Sequence, residues 1–200
     1  MDATSYCRRY AEGIREVWSS VSTEPMVRIV EVILEAYRQQ KKVIVMGNGG
    51  MALTAAHVVA DLVKHPFVSA AKDKVVSTGH RLQAICLTDN VGTLSSWAND
   101  VSYNDVFSEQ LETWAGAGDV VIAFTTSGNS ENLLRAFATA RRKGSTTVAI
   151  TGRSGGKIKA LADICFAIPS DDGSFIEDVQ MGMSHIWCNY LKLLLQGAAS

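Results

Sequence analysis

Apolar residues recur along the chain with two different periods, and the change from one period to the other marks out the elements. Between residues 1 and 21, Tyr6, Tyr10, Ile14, Val17 and Trp18 fall three to four apart among charged residues, which predicts an amphipathic helix. Residues 24 to 40 repeat the pattern through Met26, Ile29, Val30, Ile33, Leu34 and Tyr37, and predict a second helix. Val43 to Gly47 is instead short and continuously apolar, as a strand covered on both faces must be. It runs into a tight turn of Asn48, Gly49 and Gly50, and then into a helix that carries His57 and Asp61. The polar stretch 65 to 81 has no period and reads as a long loop.

Four further apolar runs read as strands, at 82–87, from 119, from 146 and at 163–169. Helices are predicted between them at about 92–98, at 103–115, and from 131 to a stop at Gly144, with a short one after Gly156 and a closing one from about 174 to 195. Strand and helix alternating in units of roughly 30 residues predict an α/β fold, a doubly wound five-stranded parallel sheet flanked by helices. No linker composition divides the chain, so residues 1–200 are read as one domain, with 1–40 a helical pair and 41–200 the α/β core. The apolar stripes of that pair exceed what one sheet edge can cover, which predicts a homo-oligomer with 1–40 at its interface. The turns Asn48–Gly50, Thr88–Asn90, Thr125–Ser130 and Thr151–Gly156 all fall at the carboxyl ends of strands, the rim where such sheets bind ligands.

Composition narrows the classes of function. At 200 residues and 47% hydrophobic the chain can bury one good core. Its 19 basic residues against 20 acidic ones, with no basic stripe, argue against nucleic acid as a partner. The charged first 20 residues lack the apolar run of a signal peptide, and no stretch reaches the length of a membrane span, so a cytoplasmic protein without a membrane partner is expected. Cys7, Cys86, Cys165 and Cys188 have no paired spacing, and three lie in apolar segments, which predicts buried free thiols.

The rim turns carry the candidate chemistry. A Gly-rich turn before a helix presents backbone N–H groups and the positive end of the helix dipole to an anion. GNGGMA fits a loose dinucleotide fingerprint, but such a site needs an acidic residue about 20 positions on, at the tip of the second strand. Here that strand ends only near Thr88, about 40 residues along, and Asp73 sits in a loop. TTSGNS, 125 to 130, offers four hydroxyls where one helix cap needs one, and the excess favours phosphate over an ordinary cap. His57 and Asp61, four apart, share a helix face, and Glu177, Asp178, Gln180 and His185 interrupt an apolar closing helix. Two histidines and two carboxylates on two helices make either an acid/base set or a divalent-metal site.

Taken in order, GNGG, the helical His-x-x-x-acid, LTDN, WAND, TTSGNS, TGRSGGK and the closing helix resemble the sugar isomerase, or SIS, domain of phosphoheptose isomerases from about residue 24 to 195. The resemblance implies interconversion of sedoheptulose 7-phosphate and a heptose 7-phosphate on a five-stranded parallel sheet, in a homotetramer that holds zinc. It places Asn48, Gly49, Gly50, Asp89, Asn90, Thr125, Thr126, Ser127, Ser130 and Glu177 against the substrate, Asp89 and Asn90 being rival contacts. Asp61 takes the position of the catalytic base and His185 that of the acid, while His57, Asp61, Glu177 and His185 fall on the metal positions. This chain has Asp61 where the family has Glu, Glu177 where Gln is common, and Met51 where the family's turn has Ser. Met51 motivates a rival reading, a non-catalytic SIS module that binds a phosphosugar or a protein; a different phosphosugar is the nearer variant.

Overall fold

The computed structural model describes residues 2–76 and 79–197. Two helices, α1 (Ala3–Ser19) and α2 (Glu24–Arg38), precede β1 (Lys42–Gly47) and α3 (Gly50–Lys64). Then come β2 (Gln83–Cys86), α4 (Val91–Asp100), α5 (Ser108–Trp114), β3 (Val120–Phe124), α6 (Glu131–Arg142), β4 (Thr146–Thr151), β5 (Ile164–Ala167) and α7 (Gly173–Gly197). The strands form one five-stranded sheet in the order β2-β1-β3-β4-β5, and every pairing is parallel. The chain therefore winds outward from β1 to β2, then crosses to β3 and winds the other way. The crevice between the carboxyl ends of β1 and β3 is the topological switch point.

Alternate residues of the central strands feed two cores. Val43, Val45, Val120, Ile122, Phe124, Val148 and Ile150 face α2, α3 and α7, whereas Ile44, Met46, Val121, Ala123 and Ala149 face α5 and α6. Burial on both faces is the reason these strands are apolar throughout. At the opposite end of the sheet Asp119, 1% exposed, accepts the backbone N–H of Lys42 at 2.8 Å and that of Gly116 at 2.9 Å, fixing the start of β3 against β1.

The architecture is the one the alternation predicts, with three local differences. The two N-terminal helices part company: α2 buries Met26, Ile29, Val30, Ile33, Ala36 and Tyr37 within the chain, whereas α1 has no buried residue. α1 lies on α7 through the Tyr10 hydroxyl, 2.7 Å from Asp178, and through the Tyr10 ring, tilted against that of Phe175. The helix predicted over 103–115 is broken, because Ser102 caps a single 3-10 turn, Tyr103–Asp105, and Val106 and Phe107 then turn into the core. The short helix after Gly156 is likewise a 3-10 turn, Lys157–Ala160.

The 65–81 stretch, of which Ser77 and Thr78 lie outside the described residues, starts with a 3-10 turn and an antiparallel bridge between Val68 and Val75. Its first half is strapped to α7: His65 meets Asn189 at 2.8 Å, and Gln196 donates to the carbonyls of Pro66 and Val68. Among the described residues no helix is long and apolar enough to cross a membrane.

All four cysteines are free; Cys7 is exposed, Cys86 and Cys188 are buried, and burial raises the thiol pKa of Cys86 and Cys165 and takes that of Cys188 to about 12. Thiolates are the reactive form. Iodoacetamide at neutral pH should therefore modify Cys7 fast and Cys188 only after unfolding, which peptide mass mapping reads directly.

Candidate active site

β1 delivers its turn to the switch point. Asn48 and Gly49 stand between the strand and α3, and Gly50 already opens the helix. The Asn48 side chain is held on both sides: its Nδ2 donates to Asn132 Oδ1 and its Oδ1 accepts from Asn132 Nδ2, both at 2.9 Å. The Tyr103 hydroxyl donates to the same Oδ1, also at 2.9 Å. Met51 points away from the turn into the core and is 4% exposed, so no thioether blocks the open face.

Across the crevice, β3 runs into the hydroxyl turn, whose residues divide the work. Thr125 is buried and its Oγ1 accepts the N–H of Gly128, so it frames the turn. Ser127 is exposed and accepts the N–H of Asn129. Ser130 occupies the N-cap position of α6, yet its side chain makes no cap hydrogen bond. A cap serine that does not cap leaves its hydroxyl, with the first-turn N–H groups of the helix, for an anion.

This turn rests on the β4 turn backbone to backbone. Gly128 has φ +67°, and a Cβ there would stand 2.2 Å from the carbonyl oxygen of Gly155. Ile158 N–H bonds the Gly128 carbonyl, Gly152 N–H that of Thr126, and Asn129 bridges Ser127 to Lys157. Between the two turns and the start of α7 lies a cavity of about 240 Å³ lined by Thr126, Ser127, Arg153, Ser170 and Asp171, among others. From α7, the buried Gln180 Nε2 donates to the carbonyls of Thr125 and Ile150, both at 3.1 Å, and so ties the ends of β3 and β4 to the closing helix.

α3 and α7 run side by side in the same direction, bringing Glu177 to Gly50 near their starts and His57 to His185 two turns further on. His57 Nε2 lies 3.0 Å from His185 Nε2, and Asp61 Oδ2 lies 3.3 Å from the first and 4.0 Å from the second. One ligand atom from each of these three residues falls within 4.8 Å of the other two. A tetrahedral ion with bonds of about 2.0–2.1 Å holds its ligand atoms about 3.3 Å apart, so the three atoms are spaced to share a divalent cation.

Glu177 is not in that group; its carboxylate faces Gly50, toward the anion turn. Of the four positions that the resemblance assigns to metal, the structure thus gathers three and leaves the fourth nearer the β1 turn. On the β2 side Asp89 and Asn90 are both exposed, and Asn90 uses its side-chain oxygen to cap α4 through the N–H of Thr93. Sequence reasoning missed Tyr103 and Asn132. The one signal available was an asparagine in the first turn of a helix that turns out 2% exposed.

Comparison with known proteins gives the same outline. The SIS domain family matches residues 6–152. The chain is 39% identical over 188 residues to a probable phosphoheptose isomerase of Thermoplasma acidophilum, a match that covers 94% of this chain and 96% of the relative. It is 36% identical over 183 residues to a phosphoheptose isomerase of Helicobacter pylori, covering 92% and 90%. The solved phosphoheptose isomerase of Neisseria gonorrhoeae superposes with a TM-score of 0.83 at 26% identity, covering 95% of this chain and 99% of that one.

Proposed function

The chain belongs to the SIS domain family, as a phosphosugar isomerase of the phosphoheptose isomerase type, and from that premise we propose that it interconverts sedoheptulose 7-phosphate and a D-glycero-heptose 7-phosphate. The observation that carries this reading is the convergence of Asp61, His57 and His185 on the α3–α7 face that begins at the anion turn. Ser127, Ser130 and the N-terminal amides of α6 hold the phosphate, with Thr126 beside them and Thr125 as the frame. Asn48, Gly49, Gly50 and Glu177 line the sugar, and on the β2 side the exposed Asp89, rather than the capping Asn90, is the contact.

Isomerisation moves one hydrogen between C1 and C2. Asp61 carboxylate takes a proton from C1 of the ketose while the His185 imidazole gives one to the carbonyl oxygen on C2, which yields an enediol. Asp61 returns its proton to C2, the C1 hydroxyl gives its proton back to His185, and the aldose forms with both groups restored. Asp61 has two oxygens and His185 two ring nitrogens. Oδ2 and Nε2 can therefore face the shared site, while Oδ1 serves the carbon and Nδ1 carries the proton exchanged with the oxygens.

His57, Asp61 and His185 would hold a divalent cation, zinc being the ion that suits two imidazoles and a carboxylate. Bound there, the ion supplies a Lewis acid that polarises the sugar carbonyl. Purified protein is expected to carry zinc near one equivalent per chain, and His57→Ala to lose most of it in metal analysis by mass spectrometry. Zinc retained in full by His57→Ala rules this site out. The rival non-catalytic reading rested on Met51, which lies in the core rather than in the cradle.

We assign the homotetramer interface to the face where α2 and α7 leave Val27, Ile186 and Tyr190 exposed around an apolar hollow of about 270 Å³, with α1 alongside. A monomer in sedimentation at micromolar concentration contradicts this assignment. Tyr190→Asp should shift the wild-type species to a smaller one. Cytoplasmic location accompanies the reading, since the sugar phosphate substrates are metabolites of that compartment.

A further inference from the structure

We propose that Tyr103 and Asn132 are positioning residues that hold the Asn48 amide so that it shows the sugar phosphate one N–H donor and no acceptor. The proposal rests on the isomerase reading for the identity of the ligand, and on hydrogen-bond bookkeeping for the rest. A side-chain amide has two donor hydrogens and two acceptor lone pairs. Both lone pairs of Asn48 Oδ1 are taken, one by Tyr103 Oη and one by Asn132 Nδ2. One hydrogen of Asn48 Nδ2 goes to Asn132 Oδ1. One N–H remains, beside the backbone N–H groups that open α3. A group so presented meets an oxygen of the ligand, whether on phosphate or on sugar, and offers nothing to a ligand donor.

The two partners suit the task for different reasons. Asn132 is 2% exposed, in the first turn of α6, so a reciprocal amide pair is how its polar atoms are satisfied. The pair alone would be equally satisfied with both amides turned over. In the structure Asn48 Oδ1 is the atom set against Tyr103, and the phenol hydroxyl donates to it, which orients the pair with the spare N–H of Asn48 left over. Tyr103 itself is 51% exposed, and its backbone turn is anchored from α6, where Arg135 reaches Asp105 at 2.7 Å. The same short segment therefore grips the β1 turn through Tyr103 and the hydroxyl-turn helix through Asp105, across the switch point.

A double-mutant cycle read by calorimetry with sedoheptulose 7-phosphate tests this on the full-length protein. Tyr103→Phe should raise Kd about fivefold when Asn48 is present, and by less than 1.5-fold in an Asn48→Ala background, because its effect passes through Asn48. In steady-state assays the loss should fall on KM rather than on kcat. An equal rise in both backgrounds, or no rise in the first, overturns the proposal. The hydroxyl is at the surface, so the variant should melt within about 2 °C of wild type, and Asn132→Ala, which leaves Asn48 Nδ2 unpaired, should repeat the coupling. Calorimetry needs no turnover. Failure of the isomerase reading therefore appears separately, as a wild type that binds the sugar phosphate without converting it.

Discussion

Asp61→Asn should lower kcat for sedoheptulose 7-phosphate by about 10²–10⁴-fold, the range expected when a positioned proton-transfer group is removed. Asparagine keeps the size of aspartate and keeps one oxygen acceptor toward His57 and His185, which lie 3.3 Å and 4.0 Å from Oδ2. It cannot accept the carbon-bound proton. Metal content measured on the same preparation therefore separates the two roles of Asp61. Retained zinc with lost turnover assigns Asp61 to proton transfer, whereas loss of both assigns it to ligation. His185→Ala removes the proton donor of the proposed mechanism and is expected to cost a comparable factor. Neither variant should unfold the protein, because the Asp61 side chain is 30% exposed and that of His185 49%, and exposed pairs of this kind contribute at most about 1 kcal/mol. A coupled assay showing either variant within threefold of wild type would sink the assignment.

The order of the elements was legible because each central strand is buried on both sides and so is apolar throughout, as Val43 to Met46 and Val120 to Phe124 show. The break between Tyr103–Asp105 and α5 was not, because it depends on the Ser102 cap and on Val106 and Phe107 finding the core on the far face of the sheet. Periodicity cannot distinguish those apolar residues from one more helical turn. The site divides in the same way. His57 and Asp61 are paired by local spacing alone, and their meeting with His185, 128 residues from His57, required α3 and α7 to run side by side.

Glu177, which the resemblance puts with the metal positions, stands apart from the other three. Eight residues of helix turn it about 80° from His185 and set it about 12 Å away along the axis, enough to place it at the anion turn instead of the histidines. Asn132 was illegible for a further reason. A polar residue in the first turn of a helix is ordinarily solvated, and only its partner Asn48, 84 residues away, makes it part of a buried network.

The hydroxyl turn and the β4 turn are held together without side chains at their closest point, and this gives Gly128→Ala a large expected effect on both stability and binding. The added Cβ would lie 2.2 Å from the Gly155 carbonyl oxygen, 2.8 Å from its carbon and 3.1 Å from Gly156 Cα. All three are backbone atoms, so no side chain can swing aside to make room. The backbone at φ +67° adds about 1 kcal/mol of its own for a residue with a Cβ. Relief requires the turns to separate, which breaks the bonds from Ile158 and Lys157 to Gly128 and Asn129 and moves Ser127 and Ser130 relative to Arg153. We expect a loss of about 2–4 kcal/mol, or about 4–15 °C in melting temperature for a domain of this size, together with a rise in KM that outweighs the fall in kcat. Gly116→Ala is the control, since its Cβ would sit 3.7 Å from Asp119 Oδ2, an ordinary contact, at a residue without positive φ. Equal melting temperatures for the two variants in thermal denaturation would mean that the turns do not depend on this contact, and the phosphate site would then need another frame.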